Sequence, residues 1–126
     1  MNIGIIPARL DSKRFPKKIL EPLNGKPMIA NTVERSLMAK RLDKVILAID
    51  SEETKNALKG FDFEIKMTSK DHNSGTDRVA EVIENIKEAK IVINIQGDEP
   101  MIDPKIIDAL VEKTEDPSVE FATVIS

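Results

Sequence analysis

Three continuous apolar runs, Ile3–Pro7, Val45–Ile49 and Ile91–Ile95, set the frame of this chain. A strand wetted on one face alternates apolar and polar residues, whereas a run that is apolar at every position predicts a strand covered on both faces, as in a parallel sheet. Phe63–Met67 and Val119–Ile125 are weaker versions of the same pattern, which brings the expected strands to five. Helical periodicity falls between them. Ile29, Val33 and Leu37 recur at four-residue spacing after Pro27, Val79, Val82, Ile83 and Ile86 form a second stripe, and Ile106, Ile107, Leu110 and Val111 form a third behind Pro104. Proline suits a first helical turn, where its missing N–H has no partner to lose. Ser51–Lys59 predicts a shorter helix capped by Ser51 or Asp50. Strand and helix alternate throughout, so the expected fold is α/β: three layers, α/β/α, with a mainly parallel sheet and right-handed crossovers. The Asn24-Gly25 pair predicts a tight turn ahead of the first helix.

Composition removes several kinds of chemistry. With no cysteine, disulfides, thiolate catalysis and cysteine-ligated metals are excluded, and any metal must use oxygen ligands or His72. A net charge of -3 argues against a general nucleic-acid binder, which carries a basic surface. The N-terminus, MNIGIIPARL, shows neither a basic leader nor a cleavage site, and no apolar stretch approaches the ~18 residues that a membrane span requires. A cytoplasmic location without a membrane partner is expected. At 126 residues the chain is long enough for one domain, yet residues 120–126 read as a strand with no closing helix after it. The expectation is therefore an incomplete fold, with residues 1–126 part of a single α/β domain whose second half lies outside this sequence.

In parallel sheets with helices on both faces, ligands bind at the carboxyl ends of the strands, and three segments are expected there. The first, Pro7–Lys18, gathers five cations (Arg9, Lys13, Arg14, Lys17 and Lys18) against one carboxylate, Asp11, and leaves the rest of the chain strongly acidic. Such a run is either a solvated face or an anion site, and its place behind a strand favours the anion site. Neither the P-loop nor the dinucleotide glycine pattern is present, so phosphates would be held by guanidinium and ammonium groups. The second segment, Thr68–Arg78, offers hydroxyls and backbone amides ahead of the second helical stripe, for polar ligand atoms or simply for a helix cap by Ser74 or Thr76, with His72 a surface residue. The third, Gln96–Asp103, places Asp98 and Glu99 directly behind a buried strand. Asp98 suits Mg2+, which is commonly bound by one or two carboxylates and completed by water and substrate phosphate; its alternative is a cap for the next helix. The basic loop at the same sheet edge favours the metal reading, because cations and Mg2+ together neutralise a triphosphate.

The stretches IIPARLDSKRFPKK, NGKPMI, MTSKDHNSGTDRVAEV and VINIQGDEPMI, in this order, resemble the signatures of the 3-deoxy-manno-octulosonate (KDO) cytidylyltransferases and cover most of residues 3–102. Asp71–Arg78 is the specific part. The PAR motif with its following lysine is shared with acylneuraminate cytidylyltransferases and other sugar nucleotidyltransferases. The resemblance implies a Rossmann-like fold of the nucleotide-diphospho-sugar transferase type. It implies an enzyme that couples CTP to KDO for lipopolysaccharide biosynthesis, with Mg2+ as cofactor and a homodimer in the complete protein. It further implies that Ala8 and Arg9 approach the nucleotide, that Arg14 and Lys18 hold the triphosphate, that Ser74 and Gly75 flank the cytosine, that Gln96 lies near the nucleotide or sugar, and that Asp98 ligates Mg2+. Arg9, Lys18 and Asp98 would carry the catalysis. Lys17 stands where the family generally has Gly, and Asn73 where it often has Gln. Family members are roughly twice this length, and the activity of the 126-residue chain alone is not expected to match theirs. The other readings are an enzyme for another acidic sugar and a non-catalytic nucleotide-binding fragment.

Overall fold

A computed structural model describes residues 1–10, 18–69, 75–84, 86, 90–97, 99–114 and 122–124. In chain order the elements are β1 (Asn2–Ala8), a single 3-10 turn (Lys18–Leu20), β2 (Pro22–Leu23), β3 (Lys26–Pro27), α1 (Met28–Leu37), β4 (Lys44–Ile49), α2 (Glu52–Ala57), β5 (Glu64–Met67), α3 (Gly75–Ile83), β6 (Ile91–Ile95), α4 (Pro104–Thr114) and β7 (Ala122–Val124). The five expected strands form one sheet in the order β5-β4-β1-β6-β7, and all of its pairings are parallel.

The apolar runs form strands because both of their faces are covered. Ile6, Ala8, Leu47, Ile49, Ile93 and Ile95 share one core with Ile29, Ala30 and Val33 of α1 and Ile107 and Val111 of α4. The alternate residues Ile3, Ile5, Ile46, Ala48 and Val92 pack with Val79 and Val82 of α3. Successive strand side chains point to opposite faces, so each run divides between the two cores and the three layers follow.

Local differences from the expectations have identifiable causes. The first strand continues through Ala8, which pairs with Ile49, so Pro7 and Ala8 belong to the sheet rather than to the loop behind it. Asn24 and Gly25 both have positive φ, 56° and 79°, and turn the chain between β2 and β3, a hairpin too short to register as an apolar pattern. Asn31 of α1 holds that hairpin by donating to the carbonyl oxygens of Leu23 and Pro27, at 2.9 and 3.3 Å. The cap of α2 is Ser51, whose hydroxyl accepts from the Glu53 amide, and this leaves Asp50 for another purpose. At α4 the cap is Asp103, which accepts from the Lys105 amide at 2.9 Å and so fills the role left open for Asp98. The helix α3 ends at Ile83; Ile86 lies beyond it but still packs on the same core.

Candidate functional site

Because the sheet is parallel, Ala8, Ile49, Met67, Ile95 and Val124 end their strands on one edge, with register pairs Ala8–Ile49, Ile49–Met67 and Ile95–Val124. The central strand β1 lies between β4 and β6, so the order of the strands along the chain reverses there. At such a reversal the adjoining loops part in opposite directions and open a crevice. The segments that meet at it follow β1 and β6.

Arg9, directly behind β1, is exposed, whereas Ala8 is buried with its methyl group in the core shared with α1 and α4. Ala8 therefore has only its backbone to offer a ligand. Behind β6, Gln96 is exposed and Gly97 is buried. A Cβ on Gly97 would lie 3.2 Å from the Pro7 carbonyl oxygen, 3.2 Å from Ile29 Cδ1 and 3.5 Å from Ala8 Cβ, so glycine lets the third segment press against the end of β1. Thr32 of α1 donates its hydroxyl to the Gly97 carbonyl at 2.9 Å, and Arg35 donates through Nε to the Ile102 carbonyl at 2.9 Å. Two turns of one helix thus hold both ends of the β6–α4 connection. Lys18 opens the 3-10 turn and is half-buried, with Ile19 inserted in the core beside α1. Gly75 is the first residue of α3. Arg14, Ser74 and Asp98 lie outside the described residues.

Between these segments runs a buried polar network that sequence reasoning missed. Asp50, the first residue after β4, accepts from the Leu10 amide at 3.1 Å through one carboxylate oxygen and faces Arg78 Nη2 across 3.6 Å with the other. Arg78 is 2% exposed, and its Nη1 donates to the Thr68 hydroxyl at 2.6 Å and to the Ser69 carbonyl at 3.0 Å. Thr68 in turn donates its amide and its hydroxyl to the Ile49 carbonyl, at 2.7 and 2.9 Å. Asp50 stands behind an apolar run just as Arg9 and Gln96 do, and that position was the available signal. The alternative of a helix cap concealed it.

Among the described residues no group of three His, Asp or Glu side chains is placed to hold a metal. A cavity of about 330 Å³ lies elsewhere, lined by Lys44, Glu64, Lys66, Met67 and Glu81 among others, and contains none of the nominated residues. Among the described residues no helix is long and apolar enough to cross a membrane.

Comparison with known proteins gives concordant matches. A family model described as cytidylyltransferase matches residues 3–125. A 3-deoxy-manno-octulosonate cytidylyltransferase of Geobacter sulfurreducens is 45% identical over an alignment covering 100% of this chain and 51% of the relative. An 8-amino-3,8-dideoxy-manno-octulosonate cytidylyltransferase of Shewanella sp. (strain W3-18-1) is 46% identical, covering 94% of this chain and 49% of its own. Among solved structures, a CMP:2-keto-3-deoxy-manno-octonic acid synthetase complexed with CTP superposes with a TM-score of 0.87 at 41% identity, over 93% of this chain and 48% of the other. A cytidylyltransferase from Leptospira borgpetersenii serovar Hardjo-bovis gives 0.75 at 25% identity, over 89% and 48%. The chain spans about half the length of the curated relatives it matches.

Proposed function

The chain belongs to the cytidylyltransferase family, and from that premise we propose that it supplies the CTP-binding part of an enzyme that couples CTP to KDO, giving CMP-KDO and pyrophosphate. The observation that carries this reading is the 0.87 superposition, over nearly the whole chain, on a synthetase for this sugar complexed with CTP. The exposed Arg9 behind β1 and Lys18 at the 3-10 turn suit the phosphates, joined by Arg14 from the intervening segment. Gly75, the first residue of α3, and Ser74, which precedes it in the sequence, would flank the cytosine, and Gln96 would meet the nucleotide or the sugar.

The anomeric hydroxyl of KDO attacks the α-phosphorus of CTP, a bond forms to the incoming oxygen, and pyrophosphate departs with the electron pair of the broken bond. No side chain becomes covalently attached. Catalysis then rests on alignment and on charge stabilisation, with Arg9, Arg14 and Lys18 facing the charge that develops on the leaving group. Asp98 is the residue that would hold Mg2+, which when bound neutralises triphosphate charge. Gly97 supports this assignment, since its tight packing and the bond from Thr32 keep the backbone next to Asp98 against the end of β1. The proposal includes a cytoplasmic enzyme, homodimeric in its whole form, with neither nucleic acid nor membrane as partner.

A second reading replaces KDO by its 8-amino-8-deoxy analogue, favoured by the 46% identity to the Shewanella enzyme. It leaves the nucleotide chemistry unchanged. Calorimetric titration of the whole protein tests that shared chemistry: Mg-CTP binds far more tightly than cytidine, and its affinity falls as salt rises because screening weakens the phosphate contacts. Equal affinity for cytidine and Mg-CTP would remove the assigned role of Arg9, Arg14 and Lys18.

A further inference from the structure

Arg78 is a buried cation whose partners among the described residues, Asp50, Thr68 and Ser69, lie behind two strand ends, those of β4 and β5, and Asp50 extends the chain of contacts to Leu10 behind β1. Replacing a buried ion pair by apolar side chains is often neutral or stabilising, so fold stability alone is a weak reason for one. Apolar side chains cannot, however, hold backbone groups from several loops in one geometry. Asp50 reaches the amide of Leu10, in the segment that carries Arg9. Arg78 reaches the Thr68 hydroxyl and the Ser69 carbonyl behind β5, while belonging itself to the helix that Gly75 opens. The carboxylate and guanidinium close the chain between them across 3.6 Å.

We propose that Asp50 and Arg78 form a positioning pair that fixes the Arg9–Leu10 backbone relative to the Thr68–Ser69 backbone and α3, so that the phosphate side and the base side of the site meet one nucleotide at the correct separation. This inference rests on the CTP reading above. It concerns positioning residues, since neither side chain is assigned a contact with substrate. The consequence is selective. CTP spans both sides and depends on their separation, whereas CMP carries the base without the β- and γ-phosphates and depends mainly on one. The base side keeps an independent tether when the pair is broken, because the Ser69 amide donates to Glu81 of α3 at 3.1 Å.

Three variants of the whole protein test this. Asp50→Ala removes the acceptor of the Leu10 amide, Asp50→Asn keeps an oxygen there and removes only the charge, and Arg78→Lys keeps a cation but loses the two-armed guanidinium. Without nucleotide, hydrogen exchange at the Leu10 amide should quicken by about tenfold in Asp50→Ala, the factor expected for one lost hydrogen bond, and stay near wild type in Asp50→Asn. The Kd for Mg-CTP should rise by about tenfold in Asp50→Ala and Arg78→Lys, while that for CMP moves by about twofold or less. Should Asp50→Ala fail to fold, Arg78→Lys carries the test through the ratio of the two constants. Equal weakening of CTP and CMP, or an unchanged Mg-CTP affinity in a folded Arg78→Lys protein, would overturn the inference. Wild-type protein that does not bind Mg-CTP would overturn the function itself; normal wild-type binding with unaltered Leu10 exchange in Asp50→Ala would overturn the pair alone.

Discussion

Thr32 on α1 donates its hydroxyl to the carbonyl oxygen of Gly97, 65 residues further along the chain and 2.9 Å away. Both residues are buried, and the bond fastens the Gln96–Gly97 backbone to the first helix. Thr32→Val keeps the shape of the side chain and removes the donor. The Gly97 carbonyl is then left buried without this partner, at a cost of about 1–3 kcal/mol. Urea denaturation should show that loss with an unchanged slope, and a midpoint equal to that of wild type would mean that water replaces the hydroxyl.

Gly97→Ala tests the same place from the opposite side. The added methyl meets the Pro7 carbonyl oxygen and Ile29 Cδ1, each at 3.2 Å. The side-chain tip can shift, but Pro7 lies in the central strand, so the segment bearing Asp98 must move instead. Overpacking of this kind costs about 1–3 kcal/mol. The variant should also bind Mg-CTP more weakly, by calorimetry, than Thr32→Val does. Wild-type stability and affinity together would show that the Pro7–Gly97 contact positions nothing.

Lys18→Ala in the whole protein should reduce turnover more than it weakens CTP binding, because charge grows on the departing pyrophosphate as the transition state is reached. Loss of one preorganised electrostatic contact costs about 2.7–4 kcal/mol, or about 10²–10³ in kcat. Steady-state kinetics separate the cases. A raised KM with an unchanged kcat would make Lys18 a uniform binding contact instead.

The sheet and three of its helices were legible because continuous apolar runs and four-residue stripes each have one economical way to be buried. Ile3–Pro7, Val45–Ile49 and Ile91–Ile95 all became parallel strands, and Pro27 and Pro104 stand at the starts of α1 and α4. The strand-end position of Arg9 and Gln96 followed from the same pattern. The roles of Asp50 and Thr32 did not, because each acts on a residue at least 40 positions away, and local spacing carries no information about such a partner. Asp50 also competed with Ser51 for one cap, and only the backbone direction at the start of α2 decides between them. The β2–β3 hairpin escaped because two-residue strands have no period to detect; its turn was visible only through the chemistry of Asn24 and Gly25. Arg14, Ser74 and Asp98 stand as sequence expectations outside the described residues.

The central claim is that this chain provides the nucleotide half of a cytidylyltransferase for an eight-carbon keto-acid sugar. The most direct measurement is pyrophosphate release by the whole protein with Mg2+ and CTP, comparing KDO, 8-amino-8-deoxy-KDO and N-acetylneuraminate as acceptors and UTP as the rival nucleotide. The account predicts release that requires CTP and one of the two octulosonates, matched mole for mole by the CMP-sugar. Release with N-acetylneuraminate but neither octulosonate, or equally from UTP and CTP, would contradict it.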